Sequence, residues 1–176
     1  MSEGTIRELE PGDGPAILRF AAAVPAHDLL FLARDIRNER VVSAWLAAAA
    51  GDTMPSLVAT DGEQVVATAA LLADPLGWSP HVAEVRLLVA PEWRGRGLGR
   101  QLLDRCIVLA GERGAAKLVA YMTPDQRGAI TLFEEAGFRA EALLRDHVRD
   151  ADGALHDLVL LSLDRGRAER MAEAYR

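Results

Sequence analysis

EVRLLVAPEWRGRGLGRQLLDRCIVLA, Glu84 to Ala110, decides how the rest of the chain reads. Its opening alternates two faces, Glu84, Arg86 and Leu88 against Val85, Leu87 and Val89, as a strand does. From Leu98 onward the apolar side chains of Leu102, Cys106 and Leu109 recur at helical spacing, predicting a helix over 98–112. Between the two lies RGRGLG, three glycines and two arginines in six residues. One or two glycines suffice for a tight strand-to-helix turn; this many, with arginines among them, suit backbone N–H groups that approach an anion at a helix N-terminus. A turn that merely reverses the chain is the alternative reading of the same letters.

Upstream, TIRELE reads as a first strand ending at PGDG, and the alanine- and leucine-rich residues 15–50, interrupted at Pro25, as two or three helices. SLVAT and QVVATAALLA flank Asp61-Gly62 and predict a hairpin over 56–72, followed by the loop DPLGWSP. Downstream come a strand KLVAYM, a helix over 125–136, Gly137, and strands over 138–148 and 155–163 joined at RDADG. Thr123, Pro124 and Gln126 fit a helix-start code as N-cap, first position and capping-box partner. The order predicts an α/β (α+β) fold with a mixed, mostly antiparallel, twisted sheet of about seven strands and helices on both faces. One domain over 1–176 is expected, with a core of about 4–163 and a charged tail, 164–176, that forms a solvated helix or a frayed end.

A net charge of −6 and a pI near 5.2 argue against nucleic acid as a partner and lean toward a cationic one. No window approaches a membrane span, and the start MSEGTIRELEPGDG lacks a signal-peptide pattern, so a cytoplasmic protein is expected. Cys106 is the one cysteine, which excludes an intramolecular disulfide; its place on the helical stripe predicts packing rather than catalysis.

Spacing separates the known glycine-rich phosphate loops. A P-loop needs Lys and then Ser or Thr after its last glycine, whereas Gly99 is followed by Arg100 and Gln101. A dinucleotide fingerprint starting at Gly97 needs a glycine at position 102, which is leucine; one starting at Gly95 needs a glycine at position 100, which is arginine. What remains is Arg-x-x-Gly-x-Gly, met by Arg94, Gly97 and Gly99. VAPEWRGRGLGRQLL, Val89 to Leu103, resembles the acyl-CoA-binding motif of the GNAT superfamily of N-acyltransferases, and EEAGF, Glu134 to Phe138, resembles that family's second motif.

The resemblance implies an N-acetyltransferase that moves an acetyl group from acetyl-CoA directly to a primary amine, with no metal. The acceptor would be a small molecule, a protein lysine or an N-terminus, and the protein a homodimer like many relatives. The backbone from Arg94 through Gly95, Arg96, Gly97, Leu98 and Gly99 to Arg100 would hold the coenzyme's pyrophosphate, with Arg96 and Arg100 adding charge. The strand at Leu87, Leu88 and Val89 would splay from its neighbour and pair with the pantetheine arm. Gln126 stands where the family usually has an asparagine that touches that arm. Glu84 is the candidate general base, with a salt bridge to Arg86 as its alternative role, and His81 is the second candidate. The family's acid tyrosine is matched by Phe133, which cannot donate a proton; water or Tyr121 would serve, and Phe133 would line the channel. Trp45, Trp78 and the loop 76–81 are candidates for the acceptor side. The missing tyrosine leaves a non-catalytic acyl-CoA-binding or regulatory module as the rival reading.

Overall fold

A computed structural model describes residues 4–167. Its elements run β1 (Thr5–Glu8), α1 (Gly14–Ala23), α2 (Glu39–Ala50), β2 (Ser56–Asp61), β3 (Gln64–Leu72), β4 (Val82–Val89), α3 (Leu98–Glu112), β5 (Lys117–Met122), α4 (Arg127–Glu135), β6 (Arg139–Arg149) and β7 (Leu155–Asp164). Short 3-10 turns at Pro11–Asp13, Ala26–Leu29 and Pro91–Trp93 join them. Most of the tail expected to be helical or frayed, 168–176, lies outside the described residues.

The seven strands form one sheet in the order β1-β2-β3-β4-β5-β7-β6. Every neighbouring pair is antiparallel except β4 and β5. The interior strand β3 is buried along almost its whole length, because helices cover both of its faces, and its sequence is accordingly apolar without alternation. Register identifies the two layers. Ser56 pairs with Ala70 and Ala70 with Arg86, so these three share a face. Trp45 of α2 donates from its indole to the Ser56 hydroxyl at 2.9 Å, which puts α2, and α1 packed beside it, on that side. The odd residues Val85, Leu87 and Val89 point the other way, toward α3, whose Gly99 abuts Leu87 and Val89 and Leu132 of α4. The helical stripe of α3 buries Leu98, Leu102, Leu103, Cys106 and Ala110 against the sheet, as its periodicity predicts.

One expected boundary is wrong. α4 starts at Arg127 rather than at the Pro124 that the capping code selects. Thr123–Gln126 form a separate turn, with the Gln126 amide donating to the Thr123 carbonyl at 3.0 Å and the Thr123 amide to the Gln126 side chain at 3.3 Å. The bond to the Gln126 side chain is the expected capping-box pairing, while the buried Thr123 hydroxyl bonds Asp125 and lies 3.4 Å from His27. No described helix is long and apolar enough to cross a membrane.

Candidate active site

β4 and β5 begin side by side and then part. Their parallel pairing has three rungs, Val82 with Lys117, Ala83 with Leu118 and Glu84 with Val119, and stops there. β5 stays paired to β7 through Met122, and β4 to β3 through Val89, so the strands splay while each remains anchored on its far side. A cleft of about 720 Å³ opens in the gap, lined by Leu87, Val89 and Leu88 on one lip and Ala120, Tyr121 and Met122 on the other.

The antiparallel ladder fixes which backbone groups face it. The Ala90 amide donates to Val66 at 2.9 Å, so Ala90, and by alternation Leu88 and Arg86, spend their hydrogen bonds on β3. Leu87 and Val89 therefore direct N–H and C=O into the cleft. A half-buried strand edge left in this state is open to a partner. Arg94 supplies one for Val89, donating from Nε to its carbonyl at 3.0 Å. Leu88 contributes its side chain to the wall, while its backbone is turned away from the gap.

At the cleft's other end the glycine-rich turn meets α3. Gly95 and Gly97 both hold positive φ, +71° and +80°, which only glycine adopts without strain, and Gly97 is the N-cap. The first amides of α3 have no carbonyl one turn back to bond and sit at the positive end of the helix dipole. Gly95, Gly97, Gly99 and Arg100 line the cleft, together with Gln126 and Phe133. Phe133 is buried and packs edge to face with Phe138, centroids 5.0 Å apart.

The remaining sequence candidates are placed less centrally. Glu84 stands on the last paired rung, on the α1 and α2 side, and accepts from Arg86 Nε at 2.8 Å and Nη2 at 3.2 Å, the ion pair weighed as its alternative role. His81 is exposed at the start of β4, away from the opening, where its carbonyl accepts the amides of Ala116 and Lys117; it is not brought to the cleft. Leu98 belongs to the core. The Arg96 guanidinium stacks over Trp93 at 4.9 Å, and Arg100 bonds Asp104 one turn on at 2.8 Å. Trp45 is a buried packing residue, whereas Trp78 is wholly exposed. Tyr121, named as an alternative acid, lines the cleft. Cys106 is buried, which pushes its thiol up to about 12 and makes it inert.

Sequence reasoning missed His27, Asp28 and Asp125. Asp28 and Asp125 line the cleft; His27 bonds Asp125 at 2.8 Å and Asp28 bonds Arg94 at 2.6 Å. Burial alone would raise the Asp125 carboxyl, but hydrogen bonds from Thr123 and His27 outweigh it and hold its pKa below the ordinary value.

A splayed parallel pair whose strand edge runs to a glycine-capped helix N-terminus makes a cleft whose shape and backbone donors suit an extended ligand with an anionic end. Residues 25–138 match the model of the Acetyltransferase (GNAT) family. The chain belongs to the GNAT family. Among GNAT structures, the ribosomal-protein-alanine N-acetyltransferase from Brucella melitensis is 27% identical, with 91% of this chain and 99% of that one covered at a TM-score of 0.76. The yncA protein from Salmonella typhimurium, solved with its cofactor acetyl-CoA, is 25% identical, covering 93% and 95% at a TM-score of 0.78. Among curated relatives, the ribosomal protein bS18-alanine N-acetyltransferase of Escherichia coli strain K12 is 31% identical over 77 residues, 44% of this chain and 51% of that protein. The matched stretch spans between 31% and 51% of the length of the first curated relatives.

Proposed function

We propose that this GNAT protein is a single-domain N-acetyltransferase that moves the acetyl group of acetyl-CoA directly to a primary amine. The observation that carries the reading is the free edge of β4. Leu87 offers a backbone donor and acceptor and Val89 a further donor at the spacing of a strand, the Val89 carbonyl being held by Arg94, and this edge is continuous with a glycine-rich turn whose amides suit a diphosphate. Acetyl-CoA has those two parts in that order, an amide-bearing arm and a pyrophosphate, and when bound it supplies an activated thioester.

The chain's own groups then have distinct tasks. The arm-facing backbone of Leu87 and Val89 orients the acyl group, and the α3 N-terminus holds the anionic end. The acceptor enters from the face that carries α1 and α2. Its ammonium must lose a proton before it can attack, and Glu84, on that face at the point where the strands part, takes it through water. Arg86 holds the carboxylate in place. The departing thiolate is a good leaving group, and Tyr121 is the cleft-lining phenol available to protonate it; Phe133 shapes the wall. The acceptor amine belongs to a small molecule or to a protein lysine or N-terminus.

The non-catalytic reading has two observations on its side: Phe133 at the acid position and Glu84 already engaged by Arg86. Calorimetric titration with acetyl-CoA, beside ATP and NAD, tests the site first: one-site binding of acetyl-CoA alone is expected. An amine screen that monitors thiol release then tests turnover. Glu84→Gln should abolish most turnover with coenzyme affinity intact; unchanged turnover removes Glu84 from the mechanism, and a protein that binds but turns over no amine is the rival module.

A further inference from the structure

Beyond the rung of Glu84 and Val119 no hydrogen bond of the sheet joins the two lips of the cleft. Each runs on to its own loop: β4 to the glycine-rich turn through Arg94, and β5 to the turn Thr123–Gln126. One short element grips both. The 3-10 turn Ala26–Leu29, on the segment between α1 and α2, places His27 and Asp28 next to each other in sequence and on opposite lips. The Asp28 carboxylate accepts from Arg94 Nη2 at 2.6 Å, and the same guanidinium donates to the Val89 carbonyl, so this grip reaches the end of β4 itself. His27 Nε2 lies 2.8 Å from Asp125 Oδ2 and 3.4 Å from the buried Thr123 hydroxyl, directly after the end of β5. The segment is anchored from beneath by buried Leu29 and Ile36, and the His27 ring packs edge to face with His156, centroids 5.2 Å apart.

Partly exposed ion pairs add little to folding on their own. Holding two edges that no sheet hydrogen bond joins beyond Glu84 and Val119 is a different task, because a ligand gripped from both sides needs those edges at hydrogen-bonding distance from it, within a few tenths of an ångström. We propose that His27 and Asp28 are positioning residues that together clasp the two lips of the cleft at the separation that seats the coenzyme arm. The inference rests on the coenzyme reading above and adds to it the residues that set the width of the gap. It also makes the acceptor-side segment, which carries Phe31 into the cleft, part of the coenzyme's own fit.

A clasp has a signature that two independent contacts lack: releasing either hand frees the lips, and releasing the second adds nothing. The test measures acetyl-CoA affinity by calorimetry for the wild-type protein, Asp28→Ala, His27→Phe and the double variant, with thermal melting to confirm folding. Each single variant should weaken binding about five- to tenfold, and the double variant should be no weaker than the weaker single. The sign for Asp28 is itself discriminating, since removing an anion from a cleft that binds a diphosphate would tighten binding by charge alone. Asp28→Asn, which keeps an acceptor oxygen for Arg94 without the charge, should recover part of the affinity. Multiplying single effects, unchanged singles, or tighter binding by Asp28→Ala would overturn the clasp while leaving the coenzyme site intact. Failure of the wild-type protein to bind acetyl-CoA would overturn the coenzyme reading and the clasp with it. Should Asp28→Ala not fold, Asp28→Asn and His27→Phe, one on each hand of the clasp, carry the same comparison: each must weaken binding, and their combination must not be weaker than the weaker single variant.

Discussion

Replacing Gly97 by alanine isolates what the glycine-rich turn does. Gly97 has φ +80°, in the left-handed region where an L side chain costs roughly 1–2 kcal/mol. A Cβ built there meets nothing within 4 Å, so backbone strain is the whole folding cost. Gly62, in the β2–β3 turn, is a matched control: φ is +58°, its Cβ also meets nothing within 4 Å, and it does not line the cleft. In a domain of this size each kcal/mol lowers Tm by about 2–4 °C, so Gly97→Ala and Gly62→Ala should both melt roughly 2–8 °C below wild type. Coenzyme affinity should separate them. A methyl on the cleft wall keeps the diphosphate from an amide, and a hydrogen bond to a charged group is worth about 1.5–3 kcal/mol, roughly 10- to 100-fold in Kd. Differential scanning fluorimetry and calorimetric titration with acetyl-CoA read the two quantities. Equal losses of Tm with wild-type affinity in both variants would refute the anion cradle and leave the glycines as a turn.

Alkylating reagents should leave Cys106 untouched in the native protein, because burial pushes its thiol up to about 12; mass spectrometry should find the adduct only after denaturation. Asp13 accepts from Arg7 at 2.7 and 2.8 Å, and that pairing, aided by the Glu10 amide, holds its carboxyl below the ordinary 3.8. A lowered folded-state value gives stability that is present above 3.8 and lost as pH falls through the folded pKa, so Asp13→Asn should lower Tm at pH 7 while the difference from wild type shrinks toward pH 3. Phe133→Ala removes a buried ring at the cleft wall and should cost about 3–5 kcal/mol in denaturant unfolding; a loss below about 1 kcal/mol would show that the wall closes over the gap.

The elements that build the cleft were legible because each depends on neighbours in sequence. The alternation from Glu84 to Val89 and the helical stripe through Leu98, Leu102 and Cys106 carry their own periods, and α3 starts and ends at the expected residues. The start of α4 was legible only in part: the expected pairing of Gln126 with the Thr123 amide forms, but the Thr123 hydroxyl lies 3.4 Å from His27, 96 residues away, and the helix starts at Arg127. The clasp was hidden for the same reason. His27, Asp28 and Asp125 are polar residues in turns, without period or motif, and their meaning arises from pairings 66 and 98 residues apart. For Glu84, alternation gives both its face and the neighbour it pairs with, Arg86, two residues on along the same face, and the structure forms that ion pair through both carboxylate oxygens.

The three-rung join between β4 and β5 has a consequence for when the molecule is complete. Strands β1 to β4 form one hydrogen-bonded block and β5, β7 and β6 another, so the sheet carries a line along which backbone pairing is missing. On the proposed coenzyme reading, an extended co-substrate seated on Leu87 and Val89 would fill part of that deficit on every cycle and restore it on leaving. Resistance to unfolding would then be a function of acyl-CoA supply, about 2.7 kcal/mol of added stability at a hundred times Kd. A protein of this design would be sturdiest when the cell has acyl groups to spend and most open to turnover by proteases when it does not.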